Sequence, residues 1–275
     1  MTLSRTARWV LAGVMAVGLA FIYIPLAVIV INSFNASKVF AWPPKQFTTQ
    51  WWNDALHNTG MLHAVLTSVL IALCATAIAL VLGSLISFGL ARYSFFGRQT
   101  ISWLIVLPIA LPGIVTALAL RIAFQNWLGV SWEWLGVAVG PTVIAAHATF
   151  CIVVVYNNVV ARLRRMGSSP EEASMDLGAG VFTTFRLVTF PLIRPALVAG
   201  AVLAFGLSFD ETVVTLFTAP ASVTTLPIWI FQSLFRPNQG PIVNVVAALL
   251  ILISIVPVYF SQRLAGDPGH AGGRV

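Results

Sequence analysis

This sequence has very few charged residues. Only 8% of its 275 residues are Asp, Glu, Lys or Arg, whereas 59% are hydrophobic. A soluble globular domain carries charge on about a quarter of its residues. The composition therefore excludes an ordinary soluble domain and indicates a membrane protein.

The sequence also lacks the motifs of the common enzymes. Its only lysines are Lys38 and Lys45, and neither ends a Gly-rich phosphate loop, so this chain alone is not expected to hydrolyse ATP. Cys74 and Cys151 lie in apolar stretches, without metal-ligand spacing or a disulfide framework. No Gly-x-Ser-x-Gly or His-Glu-x-x-His pattern occurs. We expect no catalytic residue, no metal site and no cofactor in this chain.

What the sequence has instead is long hydrophobic runs. A hydrocarbon core about 30 Å thick requires roughly 20 helical residues to cross it. Six stretches reach that length, so we predict an all-α membrane protein in which residues 1–275 form a single transmembrane domain. The predicted spans are residues 9–31, 64–90, 101–124, 137–160, 196–217 and 242–260. Bends are expected where prolines fall inside them, at Pro25, Pro108, Pro112, Pro141 and Pro257.

The basic residues predict the orientation, because cytoplasmic segments retain Lys and Arg. One side of the predicted membrane carries Lys38, Lys45, Arg236 and, at a span end, Arg121. Both termini fall on the other side, which is therefore expected to be cytoplasmic. This sorting, with anionic headgroups, accounts for the formal net charge of +7, and no nucleic-acid partner is expected. The basic residues of the cytoplasmic side are Arg5, Arg8, Arg92, Arg98, Arg162, Arg164, Arg165, Arg186, Arg194, Arg263 and Arg274.

Residues 162–191 form a charged cytoplasmic loop between the fourth and fifth predicted spans. The loop contains the signals of a short helix: Ser169 as N-cap, Pro170 at the first helical position, and Glu172 three residues after the cap to close a capping box. Gly178 then supplies a left-handed stop. A membrane span has no use for such a helix, which indicates a protein partner.

The charge of this helix bears on the alternative, a helix that lies on the membrane surface. Such helices favour Lys and Arg on the polar face. This one carries Glu171, Glu172 and Asp176. The acidic face favours the partner interpretation.

Two adjacent acids, Asp210 and Glu211, fall in the fifth predicted span. One carboxylate near the middle of a bilayer costs about 2.5–3.5 kcal/mol on insertion scales, so the pair indicates a cation-attracting site on a solute pathway, the alternative being an outer cap. On a continuous helix, Glu211 would share a polar stripe that favours its pointing toward water. The stripe is Ser208, Glu211, Thr215 and Thr218. His147 is expected to form hydrogen bonds between helices.

An apolar run at residues 225–235, which contains Trp229, is too short to span the bilayer. It predicts an interfacial or re-entrant helix.

The loop helix also carries a family resemblance. Glu172, Ala173, Ser174, Met175, Asp176, Leu177 and Gly178, with Pro191 thirteen residues later, resemble the EAA loop of ABC importer permeases. That pattern is Glu-Ala-Ala, three residues, Gly, nine residues, then Ile-x-Leu-Pro, and here Ser174, Val188 and Phe190 replace Ala, Ile and Leu.

The resemblance runs through nearly the whole chain and is greatest to the spermidine/putrescine permease branch of the family. Supporting segments are residues 32–35, 47–51, 149–151 and 207–211. The resemblance implies a type I ABC importer permease fold with six transmembrane helices, in the inner membrane of a bacterium. The implied partners are two ATP-binding subunits that bind ATP and Mg, a second homologous permease and an extracytoplasmic solute-binding protein.

The same resemblance implies functional residues. Glu171, Glu172, Ala173, Ser174, Asp176, Leu177 and Gly178 would couple the chain to the ATPase. The substrate path that it implies is lined by Trp51 and Asp210, and we expect Glu211, Ser208 and Trp229 along the same path. Related spermidine permeases tend to have Asp at the second acidic position, where this chain has Glu211, and an acid where it has Gly113. With one acid fewer, a shorter diamine such as putrescine, or a related small amine, becomes as plausible a cargo as spermidine.

Two other functions are compatible with the sequence. One is the same architecture importing another solute, such as an amino acid, an opine or a phosphonate. The other is a free-standing channel or ion-driven carrier, which would work without nucleotide.

Overall fold

A computed structural model describes residues 4–38, 42–126 and 140–265. These residues are predominantly helical, and the β contact found among them is an isolated bridge between Asn35 and Phe47. The helices of the first half are α1 Arg5–Asn32, α2 Gln50–Leu56, α3 Thr59–Arg92, α4 Arg98–Ala110 and α5 Gly113–Asn126. Those of the second half are α6 Pro141–Met166, α7 Ser169–Asp176, α8 Val181–Thr184, a π-helical turn Phe185–Thr189, α9 Phe190–Phe209, α10 Val213–Thr218, α11 Leu226–Leu234 and α12 Gly240–Ala265.

The chain divides into two compact units. The first combines Met1–Leu62 with Ile230–Val275, and the second is His63–Trp229. In the first unit, α12 packs against both α1 and α2. Apolar side chains of α1 such as Trp9 and Phe21 are exposed. An exposed helix this apolar is suited to a membrane environment.

In the second unit, α6 packs along α9, and α10 packs against α5 and α6. Small residues allow the helices to approach closely. A Cβ atom on Gly83 of α3 would lie 3.0 Å from the Ile152 carbonyl oxygen of α6, and one on Gly200 of α9 would lie 3.3 Å from Val155 Cα. The core of this unit is therefore a tight helix bundle, and it carries the charged loop and the acidic pair.

Four continuous helical segments of the described residues are long and apolar enough to cross a membrane: Arg5–Asn32, Thr59–Arg92, Pro141–Met166 and Val181–Phe209. The last of these joins α8, the π-helical turn and α9. Counting a bent pair as one span gives a fifth. The all-helical membrane architecture is confirmed, whereas the total of six spans and the cytoplasmic termini stay predictions.

The third predicted span, residues 101–124, is bent at Pro112 as expected, and the bend is sharp enough to break the helix. It is a pair of helices, Arg98–Ala110 and Gly113–Phe124, bent by 105°. Pro112 lacks an N–H donor and disfavours helical backbone at the residue before it. Leu111 accordingly has extended angles, φ −81° and ψ 147°, and ends α4.

Two other spans also differ from prediction. Pro141 does not bend a helix, because it lies at the first turn of α6, where a missing N–H is harmless. Residues 137–139 of the predicted fourth span lie outside the described residues. The fifth span, predicted at 196–217, starts earlier, because the apolar helical segment runs from Val181 to Phe209, and it breaks after Phe209, before α10. The short run 225–235 does form a helix, α11.

Candidate functional site

The helix predicted in the charged loop is α7, but its N-terminal cap was predicted wrongly. Ser168 is the N-cap residue, and its side chain makes no capping hydrogen bond. The backbone amides of Glu171 and Glu172 instead donate to the Ser168 carbonyl oxygen at 3.0 Å. Ser169 is already helical, so the predicted capping box is not formed. The two glutamates still lie in the first turn, where the helix dipole favours negative charge.

The predicted left-handed stop at Gly178 is confirmed. Gly178 has φ +87°, and its amide donates to the Met175 carbonyl oxygen at 2.9 Å. The amide of Ala179 reaches back to the Ser174 carbonyl oxygen at 3.2 Å. These two bonds form a Schellman motif, which satisfies the last carbonyls of α7.

One face of α7 contacts the helix bundle of the same chain through side chains. Glu171 forms an ion pair with Arg92, in which Arg92 Nε lies 2.7 Å from Glu171 Oε2. Its Oε1 accepts hydrogen bonds from Arg92 Nη2 at 3.2 Å and from the Thr189 hydroxyl at 2.9 Å. One turn later, the Ser174 hydroxyl lies 3.1 Å from the Thr184 hydroxyl. Glu171 and Ser174, predicted among the coupling residues, therefore point toward the bundle.

The other face of α7 is open. Glu172, Ala173, Asp176 and Leu177 are all exposed, and Leu177 is 90% exposed. Beyond the helix, Val181 and Phe182 are 80% and 75% exposed. Apolar side chains exposed beside carboxylates are typical of a surface that binds another protein.

The attachment of α7 to the bundle could not be predicted from the sequence. Arg92 ends α3, and its pairing with Glu171 joins residues 79 positions apart. Thr189 ends the π-helical turn, which periodicity does not reveal. From the sequence alone, an arginine at the end of a predicted span is interpreted as a residue of the membrane surface. Its pairing with Glu171 is seen only in the folded structure.

The acidic pair lies at the break between α9 and α10. Asp210 caps the C-terminus of α9 and is exposed. Glu211 is partly buried, and its Oε1 accepts a hydrogen bond from the Val214 amide at 2.9 Å. Glu211 therefore closes the first turn of α10, whereas Asp210 presents its carboxylate outward.

A buried histidine holds the two sides of this break together. His147 Nδ1 lies 2.8 Å from the Ser208 hydroxyl at the end of α9, and Nε2 lies 2.9 Å from the Thr215 hydroxyl of α10. Thr215 donates its own proton to the Glu211 carbonyl oxygen at 2.8 Å. Thr215 must then accept from Nε2–H, which leaves Nδ1 to accept from Ser208. The interhelical role predicted for His147 is confirmed.

The break reverses the predicted orientation of the acids. On a continuous helix the polar stripe would have turned Glu211 toward water. In the structure Ser208, Thr215 and Thr218 are buried, and the exposed acid is Asp210. The stripe faces inward because His147 supplies hydrogen-bond partners for two of its hydroxyls. Its periodicity was correct, but the identity of the neighbouring helix decided its direction.

The two tryptophans of the predicted path are both largely buried. Trp51 lies in the first unit, where its indole N–H donates to the Asn35 carbonyl oxygen at 2.9 Å. Trp229 lies in the second unit, as do Ser208 and both acids, and is 7% exposed. Among the described residues, no group of three or more His, Cys, Asp or Glu side chains is arranged to hold a metal ion.

Comparison with protein families matches residues 79–266 to the binding-protein-dependent transport system inner membrane component. The chain is 34% identical to the spermidine/putrescine transport system permease protein PotC of Shigella flexneri, over 97% of each chain. It is 35% identical to the putrescine transport system permease protein PotI of Escherichia coli (strain K12), over 91% of this chain and 90% of that one. A protein of Salmonella paratyphi A named for 2-aminoethylphosphonate transport, PhnV, is 30% identical over 91% of this chain and 90% of its own.

Solved structures show the same fold at lower identity. A bacterial ABC transporter involved in the import of the acidic polysaccharide alginate matches with a TM-score of 0.70. The match covers 96% of this chain and 99% of that one, at 16% identity.

Proposed function

Because the chain belongs to the binding-protein-dependent transport inner-membrane components, it is a membrane permease subunit of an ABC importer, and we propose that its cargo is a polyamine such as putrescine or spermidine. The observation that carries this proposal is the similarity, over nearly the whole chain, to permeases named for both amines. The exposed carboxylate of Asp210 agrees with a cationic cargo, because it can pair with an ammonium group.

ATP hydrolysis is assigned to separate subunits. We infer two ATP-binding subunits that hold ATP and Mg, a second homologous permease, and an extracytoplasmic solute-binding protein that delivers the amine. The exposed face of α7, formed by Glu172, Ala173, Asp176 and Leu177, is the proposed docking surface for an ATP-binding subunit. Leu177 supports this assignment, because a leucine side chain that is almost wholly exposed at a helix end gains by burial against a partner.

The proposed transport step combines the exposed face of α7 with the carboxylate of Asp210. Closure of the ATP-binding subunits would displace α7, and the bundle would alternate between outward-open and inward-open states that differ in their affinity for the ATP-bound subunits. The cargo would pass the break after α9, where Asp210 attracts its positive charge. Trp51, Ser208, Glu211 and Trp229 would border the path, and in this structure Ser208 and Glu211 shape the turn that carries Asp210.

A second cargo is favoured by one observation, the similarity to PhnV. 2-Aminoethylphosphonate also carries an ammonium group, so Asp210 would serve it equally well, and its phosphonate would need a separate cationic partner. Competition distinguishes the two. Excess spermidine should block uptake of labelled putrescine by the assembled importer, whereas excess 2-aminoethylphosphonate should not.

The acids offer a matched pair of variants for the cation path. Asp210→Asn removes the exposed charge and should slow putrescine uptake markedly. Glu211→Gln should have the smaller effect, because a glutamine oxygen can still accept from the Val214 amide and keep the turn. Both variants should reach the membrane in normal amounts. Normal putrescine uptake by both would reject the cation-path proposal.

A further inference from the structure

We propose that the Arg92–Glu171 ion pair transmits movement of α7 to the cytoplasmic ends of α3 and α6. The inference rests on the proposed function, since it takes α7 to be the helix displaced by the ATP-binding subunit. Arg92 and Glu171 are positioning residues in this account, and neither contacts the cargo or the nucleotide.

Arg92 joins three helices through one guanidinium. It is the last residue of α3, and it contacts Glu171 of α7 through Nε and Nη2. Nη2 also donates to the carbonyl oxygen of Gly167 at 2.8 Å, the residue that ends α6. A cation at the C-terminal end of α6 is favoured by the helix dipole. The planar, forked guanidinium can make these bonds together, which a lysine cannot.

Glu171 adds a connection to the helix that follows the loop. Its Oε1 accepts from the Thr189 hydroxyl, and Thr189 leads directly into α9. The side chains of Arg92 and Glu171 are only 17% and 12% exposed, so solvent screens the pair weakly. A displacement of α7 therefore acts on α3 and α6 through Arg92, and on α9 through Thr189.

The two faces of α7 separate docking from transmission. Glu172 points outward, to the proposed partner surface, while its neighbour Glu171 points inward, to Arg92. Loss of the ion pair should leave the outward face, and so the binding of the ATP-binding subunit, unchanged. ATP hydrolysis should then continue while less of it is converted into transport.

The test uses the complete importer, with its solute-binding protein, in proteoliposomes, and measures putrescine uptake per ATP hydrolysed. Arg92→Gln and Glu171→Gln should each lower this ratio about tenfold, within the range seen when coupling networks are mutated, with ATP hydrolysis retained. The double variant should lose less than the two single variants combined, because each single variant already removes the ion pair. Arg92→Lys should recover part of the ratio. Arg164→Gln, which removes an exposed charge from the last turn of α6, should leave it unchanged.

A wild-type ratio in both single variants would overturn the inference. Additive losses in the double variant, or failure of both single variants to assemble without any recovery in Arg92→Lys, would also overturn it and assign the pair a purely structural role. Failure of the proposed function has a different signature. In that case the unmodified protein itself takes up no putrescine above background, or takes it up at the same rate with and without ATP, whatever the variants do.

Discussion

Replacing Gly178 with alanine should destabilise the C-terminal turn of α7 and slow import. The φ angle of +87° is strained for any residue with a Cβ atom, and a Cβ built at this position meets nothing within 4 Å. The effect is therefore one of backbone conformation alone, roughly 1–2 kcal/mol. A change of that size raises the population of the unfolded C-terminal turn by about 5–30-fold.

Gly180 supplies the matched control. It lies two residues further on, has φ −69°, and likewise has open space around a built Cβ. Gly180→Ala should therefore be close to neutral, because the lower entropy of the unfolded chain is offset by alanine's poorer fit to the N-cap of α8. Gly178→Asn should lie between the two alanine variants, because asparagine tolerates the left-handed region better than alanine does.

Amide hydrogen exchange of residues 169–180, together with putrescine uptake, measures the effect directly. In Gly178→Ala, the amides at the C-terminal end of α7 should exchange about 5–30-fold faster, and putrescine uptake should fall. Exchange rates in the rest of the chain should not change. If Gly178→Ala exchanges and imports like Gly180→Ala, the left-handed stop does not hold α7, and the reasoning fails.

Two further predictions concern the packing that supports the acidic break. His147→Ala leaves two buried hydroxyls without their imidazole partner and should destabilise the purified protein by about 1–3 kcal/mol, whereas unchanged thermal unfolding would refute the bridging role. Gly83→Ala places a Cβ 3.0 Å from the Ile152 carbonyl oxygen and should cost about 1–3 kcal/mol through overpacking. Gly89→Ala, in the same helix with open space around it, should be neutral, and equal unfolding temperatures for the two glycine variants would contradict the close approach of α3 to α6.

The sequence predicted the parts of the fold that depend on composition and local signals. Long apolar runs identified α1, α3 and α6 as membrane helices, and Gly178 marked the end of α7. The N-cap was missed by one residue because Ser168 and Ser169 are equally suited to capping, and the choice depends on where the chain leaves α6. The break at Leu111 follows from Pro112, but a proline alone does not distinguish a gentle bend from one of 105°.

The candidate site was predictable as a list of residues but not as a geometry. The acids were found because a carboxylate in an apolar run is conspicuous. Their orientation was not, because the helix breaks between Asp210 and Thr212 and turns Asp210 outward. Arg92 was missed as a partner of Glu171 for the same kind of reason: contacts between distant parts of the chain leave no periodic signature.

The claim that separate ATP-binding subunits drive this permease through α7 is tested most directly by one uptake measurement. Labelled putrescine is supplied with the solute-binding protein to proteoliposomes that contain ATP and the assembled importer. The ATP-binding subunits are either intact or unable to hydrolyse ATP. The account predicts accumulation only with intact subunits. Equal accumulation with the inactive ones would contradict it.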